Sequence, residues 1–250
     1  MTFRSGNPAV DRYIAEDYES VRGMSSRFAA TICAHVIHRQ SKLGIQGHFA
    51  EIGTFEGRFF IAMALGLSPG ERALGIDTFD WPDEGLIDRF HGHCARLGLD
   101  RRSIIAIKAA ARDLTHDQVA ASLGGPVRFW HIDGDHTPAS LTADLDLAVQ
   151  SLHPRGILCL DDMLHPGYPL LIATVRDWLA RNPAMRALAV IDREDIVAAA
   201  KLMICREDAV DLYGQDLVDA FPTHHWPLGS DWGSYYAVVL TPNPRLAVVE

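Results

Sequence analysis

Short apolar runs alternate with longer amphipathic stretches through the first three quarters of the chain. The runs have the length of β-strands and cover 48–52, 73–76, 103–108, 127–132 and 156–160. Between and after them, apolar residues recur at helical spacing near 57–66, 84–97, 114–122, 138–152 and 169–181. Strands that alternate with helices in this way predict an α/β fold, a doubly wound, mostly parallel sheet with helices on both faces.

The pattern differs at both ends of the chain. Residues 25–42 carry an apolar stripe at helical spacing that ends before Gly44, which predicts an N-terminal helical cap. After residue 185, the segments 187–191, 200–205 and 235–240 look like strands, and 208–221 has helical spacing. Neighbouring strands without a full helix between them predict an antiparallel edge to the sheet. No repeat or Gly/Ser-rich linker interrupts residues 1–250, so we expect a single domain.

Composition and charge exclude several classes of protein. The 250 residues are 48% hydrophobic and 22% charged, as in ordinary globular domains. With 23 basic and 32 acidic residues, the net charge of −9 disfavours nucleic acid and anionic membrane surfaces as partners. The four cysteines lack metal-finger spacing, and neither a secretory signal nor an apolar run of membrane-spanning length is present. We therefore expect a soluble, reduced, cytoplasmic protein.

Candidate chemistry begins at the end of the first predicted strand. The sequence there is EIGTFEG, in which Gly53 permits a sharp turn and Gly57 lets the next helix pack closely. The free N–H groups of that helix could bind an anion, although such a turn can also be a plain connection. Asp77 ends the second strand 24 positions after Gly53, close to the spacing at which a carboxylate binds ribose hydroxyls. The alternative is that Asp77 caps the turn after it.

Four carboxylates follow the fourth and fifth predicted strands, at Asp133, Asp135, Asp161 and Asp162. Parallel strands present their carboxyl ends at one edge of the sheet, so these groups would repel one another without a cation. Mg²⁺ prefers oxygen ligands of this kind, which predicts a divalent-ion site. The alternative is that the aspartates cap helices and accept loop N–H groups.

These segments carry a family resemblance. EIGTFEG (51–57), GIDTFD (75–80) and the stretch from FWHIDGDH to PRGILCLDDM (129–163) resemble class I S-adenosylmethionine-dependent methyltransferases. The branch most similar is the metal-dependent small-molecule O-methyltransferases, of the catechol, caffeoyl-CoA and antibiotic-sugar type. The resemblance implies a Rossmann-like, seven-stranded sheet. It divides the chain into a helical cap (1–45), a cofactor-binding core (46–165) and a C-terminal sheet edge with substrate loops (166–250).

The resemblance also implies roles for individual residues. It places S-adenosylmethionine around the first strand end and the following acids: Glu51, Gly53, Thr54, Gly57, Asp77, Thr78, Asp133 and Asp135. It assigns Mg²⁺, or another divalent cation, to Asp133, Asp161 and Asp162, and the catalytic base to His136. The Pro- and Gly-rich loop after the fifth strand suggests substrate contacts by His165 and Tyr168. The chain departs from the family at Phe59–Phe60 and at 108–111, where the usual small hydroxyl or Gly/Ser contacts are missing.

The predicted reaction is metal-assisted methyl transfer to a hydroxyl group of a small molecule. A metal would lower the pKa of the acceptor hydroxyl, and His136 would take its proton. Two other classes stay open. Asp133-Gly134-Asp135 is formally the DxD motif of nucleotide-sugar glycosyltransferases, and a non-catalytic cofactor-binding module could keep the same fold. A homo-oligomer is expected on general frequency.

Overall fold

Eight α-helices and nine β-strands make up residues 3–243, which the computed structural model describes. The strands are β1 (His48–Ile52), β2 (Ala73–Asp77), β3 (Ile104–Lys108), β4 (Val127–Ile132), β5 (Leu152–Met163), β6 (Met185–Ile191), β7 (Ala200–Arg206), β8 (Ser230–Asp231) and β9 (Tyr236–Leu240). The helices are α1 (Pro8–Glu16), α2 (Arg27–Lys42), α3 (Arg58–Leu65), α4 (Leu86–Arg96), α5 (His116–Leu123), α6 (Pro138–Ser151), α7 (Leu170–Arg181) and α8 (Val210–Ala220).

The strands form one sheet in the order β3-β2-β1-β4-β5-β7-β6-β9-β8. Strands β1 to β5 are parallel, and β7 runs antiparallel to both β5 and β6. The strand order reverses between β1 and β4, and in open α/β sheets ligands bind at such a switch point, outside the carboxyl ends of the strands. The predicted α/β class and the antiparallel edge are confirmed.

The predicted count of seven strands is wrong, because two more strands extend the edge. β9 lies parallel to β6, with Ala189 opposite Val238, and the two-residue β8 pairs with β9. Without β9, the backbone groups of β6 would form an unpaired edge, which proteins tend to cover. The apolar run 235–240 predicted β9, whereas β8 is too short to leave a periodic pattern.

Two apolar layers enclose the sheet. One contains residues of α1, α2, α3, α4 and α8, and the other contains residues of α5, α6 and α7. Helix α2 begins after Ser26, whose hydroxyl oxygen accepts the Ala29 N–H at 3.0 Å. Its Cys33 Sγ lies 3.8 Å from Cys159 Sγ on β5, so the predicted cap helix packs directly on the sheet. Among the helices of the described residues, none combines the length and apolarity needed to cross a bilayer.

A buried ion pair joins the N-terminal ends of β1, β2 and β4 to helix α2. Arg128 on β4 is fully buried and its Nη2 lies 2.5 Å from Glu71 Oε2. Arg128 Nη1 also donates to the Ile37 carbonyl at 2.8 Å, and Glu71 Oε1 accepts the Gly47 N–H at 2.9 Å. Removing either partner would leave an uncompensated charge away from water.

We therefore expect Glu71→Ala to lower the free energy of unfolding by about 3–5 kcal/mol. Urea denaturation followed by circular dichroism measures this. The control is Asp177→Ala, which removes a surface pair with Arg176 and should cost less than about 1 kcal/mol. Equal losses in the two variants would contradict the structural role of the buried pair.

Candidate active site

Two cavities meet at the carboxyl ends of the parallel strands. The first cavity has a volume of about 630 Å³ and the second about 510 Å³. Gly53, Asp77 and Asp133 line both of them. Volumes of this size are those of small-molecule and cofactor sites, and the position is the one that the strand order predicts.

Gly53 lets β1 and β4 approach each other at this junction. Its φ is +83°, and a Cβ atom added there would lie 1.7 Å from the carbonyl oxygen of Asp133. The neighbouring Asp133 N–H donates to the Ile52 carbonyl at 2.9 Å. Only glycine fits, and the close approach it permits is to the protein's own backbone.

Gly57 serves a different contact from the one expected. It precedes α3 with φ +90°, and an added Cβ would lie 2.8 Å from Cδ2 of Phe90. The sequence suggested that Gly57 lets α3 pack on the strand. The structure shows that it instead makes room for an aromatic ring of α4.

Glu51 offers an unused hydrogen-bond acceptor to the first cavity. Its side chain is buried, which raises its pKa, and its Oε1 lies 2.8 Å from His131 Nδ1. Its Oε2 is buried with no hydrogen-bond partner, and the same is true of Thr54 Oγ1. Unsatisfied buried polar atoms are rare in folded proteins, and at a cavity wall they are suited to binding a ligand.

Asp77 holds two turns in place. Its Oδ2 accepts the N–H of Phe55 and its Oδ1 accepts the N–H of Phe79, each at 2.8 Å. Both phenylalanines have positive φ, near +50°, which non-glycine residues rarely adopt. The capping role that the sequence left as an alternative is therefore real. It does not exclude a ribose contact, because each carboxylate oxygen accepts more than one hydrogen bond.

The other predicted cofactor residues differ in their surroundings. Thr78 donates its hydroxyl to Asp80 at 2.6 Å and lines the second cavity. Asp135 also lines that cavity, but its Oδ2 accepts the hydroxyls of Thr137 and Ser140 at 3.0 and 2.8 Å. The hydrogen bonds from Ser140 and Thr137 lower the pKa of Asp135. Asp135 thus stabilises the start of α6.

A buried chain of charges lies behind the cluster, and the sequence did not predict it. Lys201 on β7 is 1% exposed and forms an ion pair with Asp161 Oδ2. Its Nζ also lies 3.0 Å from His131 Nε2. When His131 is neutral, a charged Lys201 makes Nε2 the acceptor, so the ring proton sits on Nδ1 and is donated to Glu51. Phe59 stacks on the His131 ring at 4.0 Å.

Electrostatics in this cluster follow from the ion pair. Burial raises the pKa of Asp161, but the Lys201 charge outweighs burial and holds that pKa well below its usual range. Burial lowers the pKa of Lys201, and the Asp161 carboxylate reverses the shift. Asp133 has no such partner, and burial together with the Asp161 charge raises its pKa to about 8.

His136 is held between an acid and an aromatic ring. Its Nε2 lies 2.6 Å from Asp162 Oδ2, and its ring stacks on Tyr168 at 4.1 Å and 7°. The ring of His165 also stacks on Tyr168, with 4.7 Å between the ring centres. The hydrogen bond to Asp162 raises the pKa of His136 above its ordinary value. All four side chains line the first cavity, so the structure brings these predicted residues together.

Comparisons with known proteins agree with this arrangement. The family model described as a methyltransferase domain matches residues 50–163, which run from within β1 to the end of β5 and include every strand-end acid named above. Somewhat under half of the chain therefore resembles a methyltransferase domain. The resemblance to class I methyltransferases and the expectation of an enzyme are confirmed. No curated protein matches the chain significantly.

Solved structures similar to this chain share its fold at low sequence identity. The O-methyltransferase from Bacillus cereus in complex with SAH has a TM-score of 0.59 and 16% identity, covering 80% of this chain and 90% of that one. TomG from Streptomyces achromogenes is an O-methyltransferase of tomaymycin synthesis, solved in complex with SAM. Its TM-score is 0.52 at 16% sequence identity, and the match covers 80% of this chain and 89% of TomG. CalS11, the TDP-rhamnose 3′-O-methyltransferase of calicheamicin biosynthesis, has a TM-score of 0.52 at 17% sequence identity. The match covers 79% of this chain and 86% of CalS11.

The acids of the methyltransferase domain do not fit the magnesium site expected from the sequence. Asp161 Oδ1 accepts the N–H of Asp162 at 2.9 Å, and its Oδ2 holds Lys201. Among the described residues, two groups have ligand atoms within 4.8 Å of one another: His131, Asp133 and Asp161, and Asp133, His136 and Asp162. A divalent ion in the first group would lie beside the Lys201 ammonium, which contacts both His131 and Asp161, and would be repelled by its charge. An ion in the second would take the expected base as a ligand.

One sequence signal could have indicated the buried chain. Lys201 stands in the apolar run AKLMIC, and His131 in the run VRFWHI. A charged or polar residue inside a fully buried strand needs a partner, because an unpaired one is costly. The partner's identity depends on which strands are neighbours, and β7 is inserted between β5 and β6.

The contact at Gly53 of the methyltransferase domain yields a matched pair of variants. Gly70 has φ +90° and open space around an added Cβ, so Gly70→Ala should cost only about 1–2 kcal/mol of left-handed strain. Gly53→Ala adds a backbone clash and should cost at least about 3 kcal/mol. Urea unfolding measures both. Equal costs would mean that the Gly53–Asp133 approach is not tight in solution.

Proposed function

We propose that this protein is an S-adenosylmethionine-dependent O-methyltransferase that acts on a hydroxyl group of a small molecule. The observation that carries the proposal is the junction of two cavities at Gly53, with Asp77 and Asp133 facing both. A methyl donor and its acceptor need adjoining sites, since alignment of the two supplies much of the rate enhancement. The SAM- and SAH-bound O-methyltransferases of similar fold support the choice of cofactor.

The residues present fit this cofactor. The free Glu51 Oε2 and the free Thr54 hydroxyl would hold the methionine portion together with the turn at Gly53 and Gly57. Asp77 would hold the ribose, and the second cavity, with Thr78 and Asp135, would hold the rest of the nucleoside. When bound, S-adenosylmethionine supplies an electrophilic methyl group on a cationic sulfur. The carboxylates around the junction favour that positive charge.

The rim of the first cavity indicates the kind of acceptor. Met24, Trp81, Ile196 and Val197 line it with 48%, 64%, 59% and 61% of their surfaces exposed. Large apolar side chains exposed together are typical of a binding surface. The rim favours an acceptor with an apolar or aromatic skeleton whose hydroxyl reaches the acids below.

In this mechanism, His136 and Asp162 act as a pair. Neutral His136 keeps its proton on Nε2, donated to Asp162, which leaves Nδ1 to accept the proton of the acceptor hydroxyl. Asp162 stabilises the imidazolium that results, as in other base–acid pairs. Tyr168 orients the ring by stacking on it. This mechanism uses no Mg²⁺, because Asp161 already forms an ion pair with Lys201.

The alternatives receive less support. A glycosyltransferase would use Asp133 and Asp135 together on one metal, whereas Asp135 belongs to neither group of close ligand atoms among the described residues. A non-catalytic module has no use for the His136–Asp162 pair. The expected homo-oligomer and cytoplasmic location stay predictions.

Isothermal titration with S-adenosylmethionine tests the cofactor. Asp77→Ala should weaken binding about 10- to 100-fold, since it removes a charged hydrogen-bond acceptor. Glu84→Ala is the control, because Glu84 is an exposed acid nearby that lines neither cavity. Unchanged affinity in both Asp77→Ala and Gly53→Asp would remove the cofactor assignment.

The His136–Asp162 pair predicts a pH dependence. We expect His136 to titrate above its usual 6.5 by NMR, and Asp162→Asn to bring the midpoint back toward that value. Because the base must be neutral, methyl transfer should rise with pH through the same midpoint. Once an acceptor is found by SAH release from a panel of phenols and glycosides, His136→Gln should lower kcat about 10²- to 10⁴-fold. A midpoint unmoved by Asp162→Asn contradicts the pairing.

A further inference from the structure

Lys201 occupies the place where a cation was expected among the acids. Its ammonium contacts the carboxylate of Asp161 and the ring of His131, and its side chain is 1% exposed. It also lies 4.8 Å from the centre of the Phe59 ring, at cation–π distance. The ammonium is therefore a buried part of the fold with three partners around it.

We propose that the Lys201 ammonium replaces a divalent metal ion at this cluster, so that the reaction of this enzyme requires no metal. That the reaction requires no metal rests on the proposed function. That Lys201 replaces the ion concerns only the charged residues of the chain. Lys201 does not line either cavity, so it is a positioning residue that acts through Asp161 and His131.

A metal ion and Lys201 would compete for a single carboxylate. Asp161 has two oxygens, of which one accepts the N–H of Asp162 and the other binds Lys201. A metal ion bound by Asp161 would have to displace the buried ammonium, or bind beside it against charge repulsion, so metal binding there is weak for as long as Lys201 is present. A metal ion bound by Asp133, His136 and Asp162 would instead take the proposed base as a ligand.

The same ammonium organises the far side of the site. When His131 is neutral, the Lys201 ammonium makes Nε2 the acceptor and so sets the tautomer in which Nδ1 donates to Glu51 at 2.8 Å. That hydrogen bond uses one oxygen of Glu51 and leaves Oε2 free toward the first cavity. One buried charge therefore arranges both the acid cluster and the carboxylate that faces the expected methionine portion. A dication bound only by carboxylates would not provide this second connection.

Titration with Mn²⁺, followed by calorimetry and by the EPR signal of free Mn²⁺, tests the proposal without an acceptor. The native protein should show no saturable site of one ion per chain, and EDTA should leave its affinity for S-adenosylmethionine unchanged. A saturable site lost in Asp162→Asn or Asp161→Asn would overturn the proposal. Absence of S-adenosylmethionine binding, with no Mn²⁺ site, would instead reject the proposed function and keep the charge assignment.

Two variants test the role of the charge. Lys201→Gln keeps a hydrogen-bond donor near Asp161 but removes the charge, and it should bind Mn²⁺ about 100-fold or more tightly than the native protein. Lys201→Arg keeps the charge and should not bind Mn²⁺ more tightly than the native protein. Tighter Mn²⁺ binding in Lys201→Arg, or unchanged Mn²⁺ binding in a folded Lys201→Gln, contradicts the proposal. A purely structural lysine would change stability without creating metal affinity. If neither variant folds, the Mn²⁺ titration of the native protein decides the question.

Discussion

The ion pair between Lys201 and Asp161 is the interaction on which the site depends. Carboxylates from β1, β2, β4 and β5 converge at one edge of the sheet, where their charges would repel one another. One ammonium, brought by the antiparallel strand β7, neutralises Asp161. Burial of an ion pair contributes little stability by itself, but loss of one partner is costly. The pair therefore ties the acid cluster to the presence of β7.

A second constraint is the close approach of β1 and β4 at Gly53. No side chain fits between this residue and the carbonyl of Asp133. The approach places Asp133 at the boundary of both cavities, and Asp77 lines both while it holds the turns at Phe55 and Phe79. The proposed ribose contact would use the same carboxylate that caps these turns.

Much of the fold follows from local pattern. The alternation of apolar runs and amphipathic stretches predicted every strand except β8, because a two-residue strand has no period to detect. The seven-strand sheet was wrong for a related reason: the resemblance ended near residue 165, and the run 235–240 adds a strand to the edge beyond β6. Among the site residues, His136, His165, Tyr168 and Asp162 meet in one cavity as their positions at strand ends suggested.

The sequence by itself determined the type and order of the elements, except for α1 and β8, and the edge of the sheet at which the acids gather. These depend on hydrophobic periodicity and on the parallel direction of successive strands, which are local properties. Only the tertiary structure decided how the charges pair. Asp161 and Lys201 are 40 positions apart, and they meet because β7 inserts between β5 and β6. Electrostatic partners are set by distance in space and not by position in the sequence. The carboxylates that resembled a metal site along the chain therefore lie around a lysine once the chain is folded.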